Sequence, residues 1–125
     1  MQAGQLLLIQ NSDDTLHNIH ALPSLNAEFN KGQPSGSADL KKTFSKPEIM
    51  VRIKCDVHPW MSAYIGVLDH PFFDVSREDG SFALGGLPAG SYTVAIWHEK
   101  FGLGTQTVEL GEREAQDVTF VFEEQ

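Results

Sequence analysis

The chain has 125 residues, enough for one domain with a real core and too few for a second independent one. Its 41% hydrophobic and 21% charged content is ordinary for a globular protein, and no apolar run reaches the roughly 18 residues of a membrane span. A formal net charge of −8 argues against nucleic acid and an anionic membrane surface as partners, and suits a basic partner protein.

Gln5 to Gln10 is apolar on both faces and predicts a strand buried in a sandwich. The run Leu6-Leu7-Leu8-Ile9 is too short for a signal-peptide core and has no basic flank, so Met1 is expected to begin a mature or recombinant form. Asn11-Ser12-Asp13-Asp14 reads as a turn, because these side chains satisfy nearby backbone groups. In Thr15 to Leu22, His17, Ile19 and Ala21 alternate with Leu16, Asn18 and His20. A strand there puts His17 and His20 on opposite faces. From Pro23 to Pro47 the chain is polar and without periodicity, with Phe29 and Phe44 as expected anchors and Thr43-Phe44-Ser45 as a short strand.

Glu48 to Cys55 predicts a strand with Ile49, Val51, Ile53 and Cys55 on the core face and Met50, Arg52 and Lys54 on the other. After the segment that follows it, Ala63, Ile65 and Val67 alternate with Tyr64, Gly66 and Leu68 in another strand, broken by Asp69-His70-Pro71. Phe72–Val75 and Phe82–Leu84 flank Arg77-Glu78-Asp79-Gly80, a hairpin signal. Leu87-Pro88-Ala89-Gly90-Ser91 is a further turn, and Tyr92–His98, Thr105–Leu110 and Val118–Phe122 predict three more strands. No helix is expected.

The chemistry lies in Cys55-Asp56-Val57-His58-Pro59-Trp60-Met61. The only cysteine, a histidine three residues on and a methionine three beyond that make a soft donor set suited to copper. Zinc more often takes several cysteines or histidines, and no second cysteine exists. A His2Cys copper site with a weak axial methionine needs one more imidazole, which Leu16-His17-Asn18-Ile19-His20 offers. The competing reading of Cys55 is a buried, inert thiol, and that of Met61 is core filler. The single cysteine also excludes an internal disulfide, so cysteine usage does not report the compartment.

Cys-x-x-His-x-x-Met at a strand end, with His-Asn some forty residues upstream, resembles the cupredoxin family, and the loop is most similar to those of amicyanin and plastocyanin. The resemblance covers about residues 5–61 and implies His17, Cys55, His58 and Met61 as ligands of one type 1 copper ion, with His17 rather than His20 facing the metal. It implies that Asn18 ties the ligand segments together near the Cys55 sulfur. The C-terminal half, with Asp-Gly-Ser-Phe and Leu-Pro-Ala-Gly-Ser-Tyr-Thr-Val, looks like transthyretin-like or carboxypeptidase-regulatory-like β-sandwich segments. In cupredoxins the cysteine loop lies near the C-terminus, whereas here 64 residues follow Met61. The expected architecture is therefore all-β: a single cupredoxin-like domain over 1–125, a Greek-key β-sandwich with rearranged, permutation-like strand order.

The resemblance implies an electron-transfer protein rather than an enzyme, periplasmic or extracellular, serving a redox partner such as a cytochrome or a copper or haem enzyme. The rivals are a copper carrier or storage protein, a metal-free β-sandwich interaction module, and one domain of a larger redox enzyme. Residues 62–125 carry 11 acidic and 3 basic side chains, and residues 24–54 carry 6 basic and 3 acidic ones, an asymmetry able to orient a partner before contact. His20, His70 and His98 are expected to fill structural roles.

Overall fold

The computed structural model describes residues 1–123, and these are all-β, with eight strands and no helix among them. The strands are β1 (Leu6–Ile9), β2 (His17–Leu22), β3 (Phe29–Gln33), β4 (Leu40–Thr43), β5 (Glu48–Lys54), β6 (Ser62–Val67), β7 (Gly90–His98) and β8 (Gly102–Leu110). The chain divides into two compact units, Met1–Pro71 and Phe72–Gln125, each described by itself. Among the described residues no helix is long and apolar enough to cross a membrane.

The first unit holds an antiparallel four-stranded sheet of order β3-β2-β5-β6 and a two-stranded β1-β4 ribbon. Alternation along β2 sends His17 and Ala21 into the interior and leaves Asn18 and His20 on the opposite face. Ala21, Val51, Val67 and Phe44 form the buried core, with Leu7, Phe29, Ile53 and Ile65 packed against it. Phe44 stacks on Phe29 with centroids 6.1 Å apart, so the two expected anchors meet.

Three expectations change here. β1 forms, but Leu6 and Leu8 are exposed, because the strand pairs only with β4 and buries one face. The polar stretch from Pro23 to Pro47 contains β3 and β4, which cross-strand pairing with β2 and β1 creates where apolar periodicity is missing. β3 is an edge strand, and its exposed Asn30, Lys31 and Gly32 suit an edge. On β5 the ladder is irregular between Glu48 and Val51, so Ile49 turns outward while Val51, Ile53 and Cys55 keep the inward face.

Glu48 fastens the far end of the β2–β5 pair. Its buried carboxylate accepts hydrogen bonds from the backbone N–H groups of Ser24 (2.6 Å), Leu25 (3.0 Å) and Asn26 (3.0 Å) and from Asn26 Nδ2 (2.8 Å). Burial alone raises a carboxyl pKa, but these four donors outweigh it and hold Glu48 below its ordinary value.

In the second unit β7 and β8 form a regular hairpin from Gly90↔Leu110 to His98↔Gly102. His98 Nδ1 accepts the Lys100 and Phe101 N–H groups at 3.0 and 3.3 Å, which closes the turn. The Arg77–Gly80 turn also forms: Gly80 N–H donates to the Arg77 carbonyl at 2.8 Å and Gly80 takes φ +85°. Its arms are not strands. Asp74 Oδ2 accepts the Ala83 N–H at 2.9 Å, so a side chain joins the arms in place of a ladder. Residues 118–122 likewise lie outside any strand, held by the Gln106 amide on the Thr119 carbonyl and by Phe120 against Phe82.

Candidate metal centre

His17 opens β2 on its buried face, and Cys55 follows directly on the end of β5, the neighbouring strand. The inward parity of Val51, Ile53 and Cys55 therefore aims the thiol at the side of the sheet that His17 faces. The chain then turns back: the Cys55 N–H donates to the Met61 carbonyl at 3.2 Å, and the Met61 N–H to the His58 carbonyl at 2.9 Å. This closure swings His58 over the same point.

The donor atoms of His17, Cys55 and His58 lie within 4.8 Å of one another, a group that can hold a metal ion. Cys55 Sγ is 3.8 Å from His17 Nδ1 and 3.8 Å from His58 Nδ1, and the two Nδ1 atoms are 3.1 Å apart. A point equidistant from the three lies about 2.1 Å from each, close to metal–imidazole bonds of about 2.0–2.1 Å and metal–thiolate bonds of about 2.3 Å. Cys55 and His17 are only 5% and 8% exposed, whereas His58 is half-buried.

The electrostatics favour a thiolate at this point. Burial pushes the Cys55 thiol up, but the Asn18 N–H, the His17 ring and the His58 N–H and ring outweigh it and bring its pKa to about 6. The Cys55 sulfur and Asp13 raise the His17 pKa above its ordinary value, against burial. Asp13 Oδ2 sits 2.6 Å from His17 Nε2 and accepts a hydrogen bond from its N–H, so the neutral ring keeps its Nδ1 lone pair toward the donor group. Asp13 is itself placed by Asn11, whose Oδ1 accepts the Asp13 N–H at 2.9 Å. The Asn11–Asp14 turn was legible in sequence, but the hydrogen bond of its Asp13 carboxylate to the His17 ring was not.

Asn18 joins the two segments. Its Oδ1 accepts the Asp56 and Val57 N–H groups at 2.5 and 3.3 Å, and its Nδ2 donates to Asp56 Oδ2 at 2.9 Å. Lys54 and the Asn18 amide hold the Asp56 carboxyl down at about 2. His20 faces away from the donor group, with Nδ1 3.1 Å from Asp56 Oδ2 and Nε2 2.7 Å from Glu28 Oε1. His98 closes its hairpin turn in the second unit. Met61 contributes its backbone to the loop closure, and its side chain is exposed, as are Val57 and Trp60, the last at 78%. Trp60 meets the His58 ring edge-on with centroids 5.2 Å apart.

The described residues thus form an all-β chain with a His–Cys–His group that could hold a metal ion. Compared with known proteins, the chain matches no family model, no curated protein and no solved structure.

Proposed function

We propose that the chain is a type 1 copper protein of the cupredoxin kind that carries one electron between redox partners. The observation that supports this most is the triangle of two Nδ1 atoms and one thiolate sulfur around a point about 2.1 Å from each. Two imidazoles and one thiolate suit a trigonal copper site, whereas a structural zinc site takes four strong donors. By the resemblance of its loop, Met61 would add a weak thioether donor to the three. Copper, when bound, supplies the one-electron Cu(II)/Cu(I) couple.

The protein's own part is to hold the donors still. Asp13 keeps the His17 proton on Nε2, the Asn18 and His58 N–H groups face the Cys55 sulfur, and the buried positions of His17 and Cys55 keep water away. A rigid donor set that suits both oxidation states lowers the reorganisation accompanying electron transfer. The half-buried His58 edge, beside Val57 and Trp60, is the exit for the electron and the contact for a redox protein. In this reading the chain is not itself an enzyme, it works in the periplasm or outside the cell, and its strand order is a rearranged Greek key.

A copper carrier or storage protein is the second reading, favoured by the exposure of Val57, Trp60 and Met61 around the donors. Repeated reduction and reoxidation without loss of metal separates the two. The main test is a visible spectrum during Cu(II) titration of the wild type, Cys55→Ser and His17→Ala. An intense thiolate-to-copper band saturating at one equivalent and missing in Cys55→Ser is expected. A folded wild-type protein without that band refutes the proposal, and a band unchanged in His17→Ala refutes the ligand set.

A further inference from the structure

Asp56 lies between two of the donors in sequence, one residue after Cys55 and two before His58. Its carboxylate nevertheless folds back over the outer face of the sheet, away from the donor group. There it meets Asn18 Nδ2 at 2.9 Å, Asn30 Nδ2 at 3.1 Å, His20 Nδ1 at 3.1 Å and Lys54 Nζ at 3.1 Å. These partners come from three adjacent strands. His20 is the register partner of both Asn30 on β3 and Lys54 on β5, so the three form a row across the sheet, with Asn18 on the same face. His20 is braced in turn by Glu28 Oε1 at 2.7 Å.

Global stability does not account for this convergence. The Asp56 side chain is 40% exposed and that of Glu28 62% exposed, and solvent-exposed ion pairs contribute little to folding. The backbone of residue 56 does, however, decide where the Cys55 sulfur and the His58 ring point. With the carboxylate held from three strands, and the Asp56 and Val57 N–H groups held by Asn18 Oδ1, the first turn of the loop has little freedom.

We propose that Asp56, braced by His20, is a positioning residue that sets the shape of the His17–Cys55–His58 group and the rate at which it releases metal. The inference rests on that group being a metal site. Its mechanism is pre-organisation: the outer-face carboxylate fixes the loop, so bound metal leaves only when the Cys55–His58 geometry opens.

The test uses the full chain with Co(II), a redox-stable spectroscopic probe, in wild type, Asp56→Ala, Asp56→Asn, His20→Ala and the one-charge control Glu78→Gln. The readouts are Co(II) release to excess EDTA, the position of the thiolate-to-cobalt band, and the rate at which apo Cys55 reacts with a thiol reagent. Asp56→Ala is expected to release Co(II) about tenfold faster, with a shifted band, faster apo-thiol reaction and an unfolding midpoint near that of the wild type. His20→Ala shifts all three readouts the same way by less. Asp56→Asn, which keeps an acceptor oxygen, restores part of the wild-type behaviour and covers the case in which alanine unfolds the loop. Wild-type release and band position in Asp56→Ala overturn the inference, as does an equal change in Glu78→Gln. A wild-type protein that takes up no Co(II) overturns it together with the metal reading, and is recognised because the parent itself shows no band.

Discussion

Replacing Glu48 with glutamine tests how the register of the strands that carry His17 and Cys55 is held. The carboxylate sits at the end of the β2–β5 pair opposite His17 and Cys55, and it pins Ser24–Asn26, which continue from β2. Oε1 accepts one donor and Oε2 accepts three. An amide keeps only one acceptor oxygen. In its best orientation that oxygen meets the three donors and the NH2 group faces the Ser24 N–H, so one short charge-assisted bond becomes a clash. The cost expected is about 2 kcal/mol, the worth of a hydrogen bond to a charged group plus an unpaired donor. For a small domain this lowers Tm by roughly 8–16 °C.

The pH dependence carries the sign. Because the folded protein holds the Glu48 pKa below its ordinary value, its contribution is present above the unfolded pKa and is lost as pH falls through the folded pKa. Urea melts of wild type and Glu48→Gln should therefore differ by about 2 kcal/mol at neutral pH, and the difference should shrink as pH falls through the folded pKa of Glu48. Asp56, Asp74 and Asp79 also have lowered pKa values, but they are common to both proteins and cancel in the difference. Equal stability at neutral pH, or a difference unchanged in acid, refutes the clamp. Since a slip of one residue would turn His17 to the other face, the variant should also weaken metal uptake.

Asp13→Ala should weaken Cu(II) binding about 10- to 100-fold in a chelator competition while leaving the unfolding midpoint nearly unchanged, because its exposed carboxylate acts through the His17 Nε2 proton. The ultraviolet thiolate absorbance of the metal-free protein should titrate with a midpoint near 6, and His17→Ala should move that midpoint upward by removing one of the groups that lower it. A midpoint in the ordinary thiol range in the wild type contradicts the thiolate assignment. Phe44→Ala should cost about 3–5 kcal/mol in denaturant melts, since Phe44 is the largest core side chain of the first unit and stacks on Phe29; a loss under 1 kcal/mol shows that the core can collapse around it.

The local features of the chain were readable because they depend on short periods. The two-residue alternation through Val51, Ile53 and Cys55 and through His17, Ile19 and Ala21 specifies which side chains share a face without knowledge of any partner strand. Turn chemistry was equally visible at Arg77–Gly80, where Asp-Gly produces the turn even though its arms do not pair. Ile49 escaped the same reading because the ladder irregularity before Val51 is a property of two strands, and one strand's alternation does not contain it. β3 and β4 escaped it for a related reason. Asn30-Lys31-Gly32 and Lys41-Lys42 become strands through hydrogen bonds to β2 and β1, and a sheet edge asks little of its side chains.

By itself, then, the sequence determined an all-β chain, the Cys55-x-x-His58-x-x-Met61 loop at the end of a strand, and opposite faces for His17 and His20. Only the tertiary structure decided that His17 Nδ1 stands 3.8 Å from a sulfur 38 residues away, that Asp13 holds the other side of that ring, and that Asp56 turns to the outer face to meet Asn30, His20 and Lys54. The division follows from the physics: periodicity and turn chemistry act over a few residues, whereas donor distances and hydrogen-bond networks depend on which strands become neighbours, and in what register.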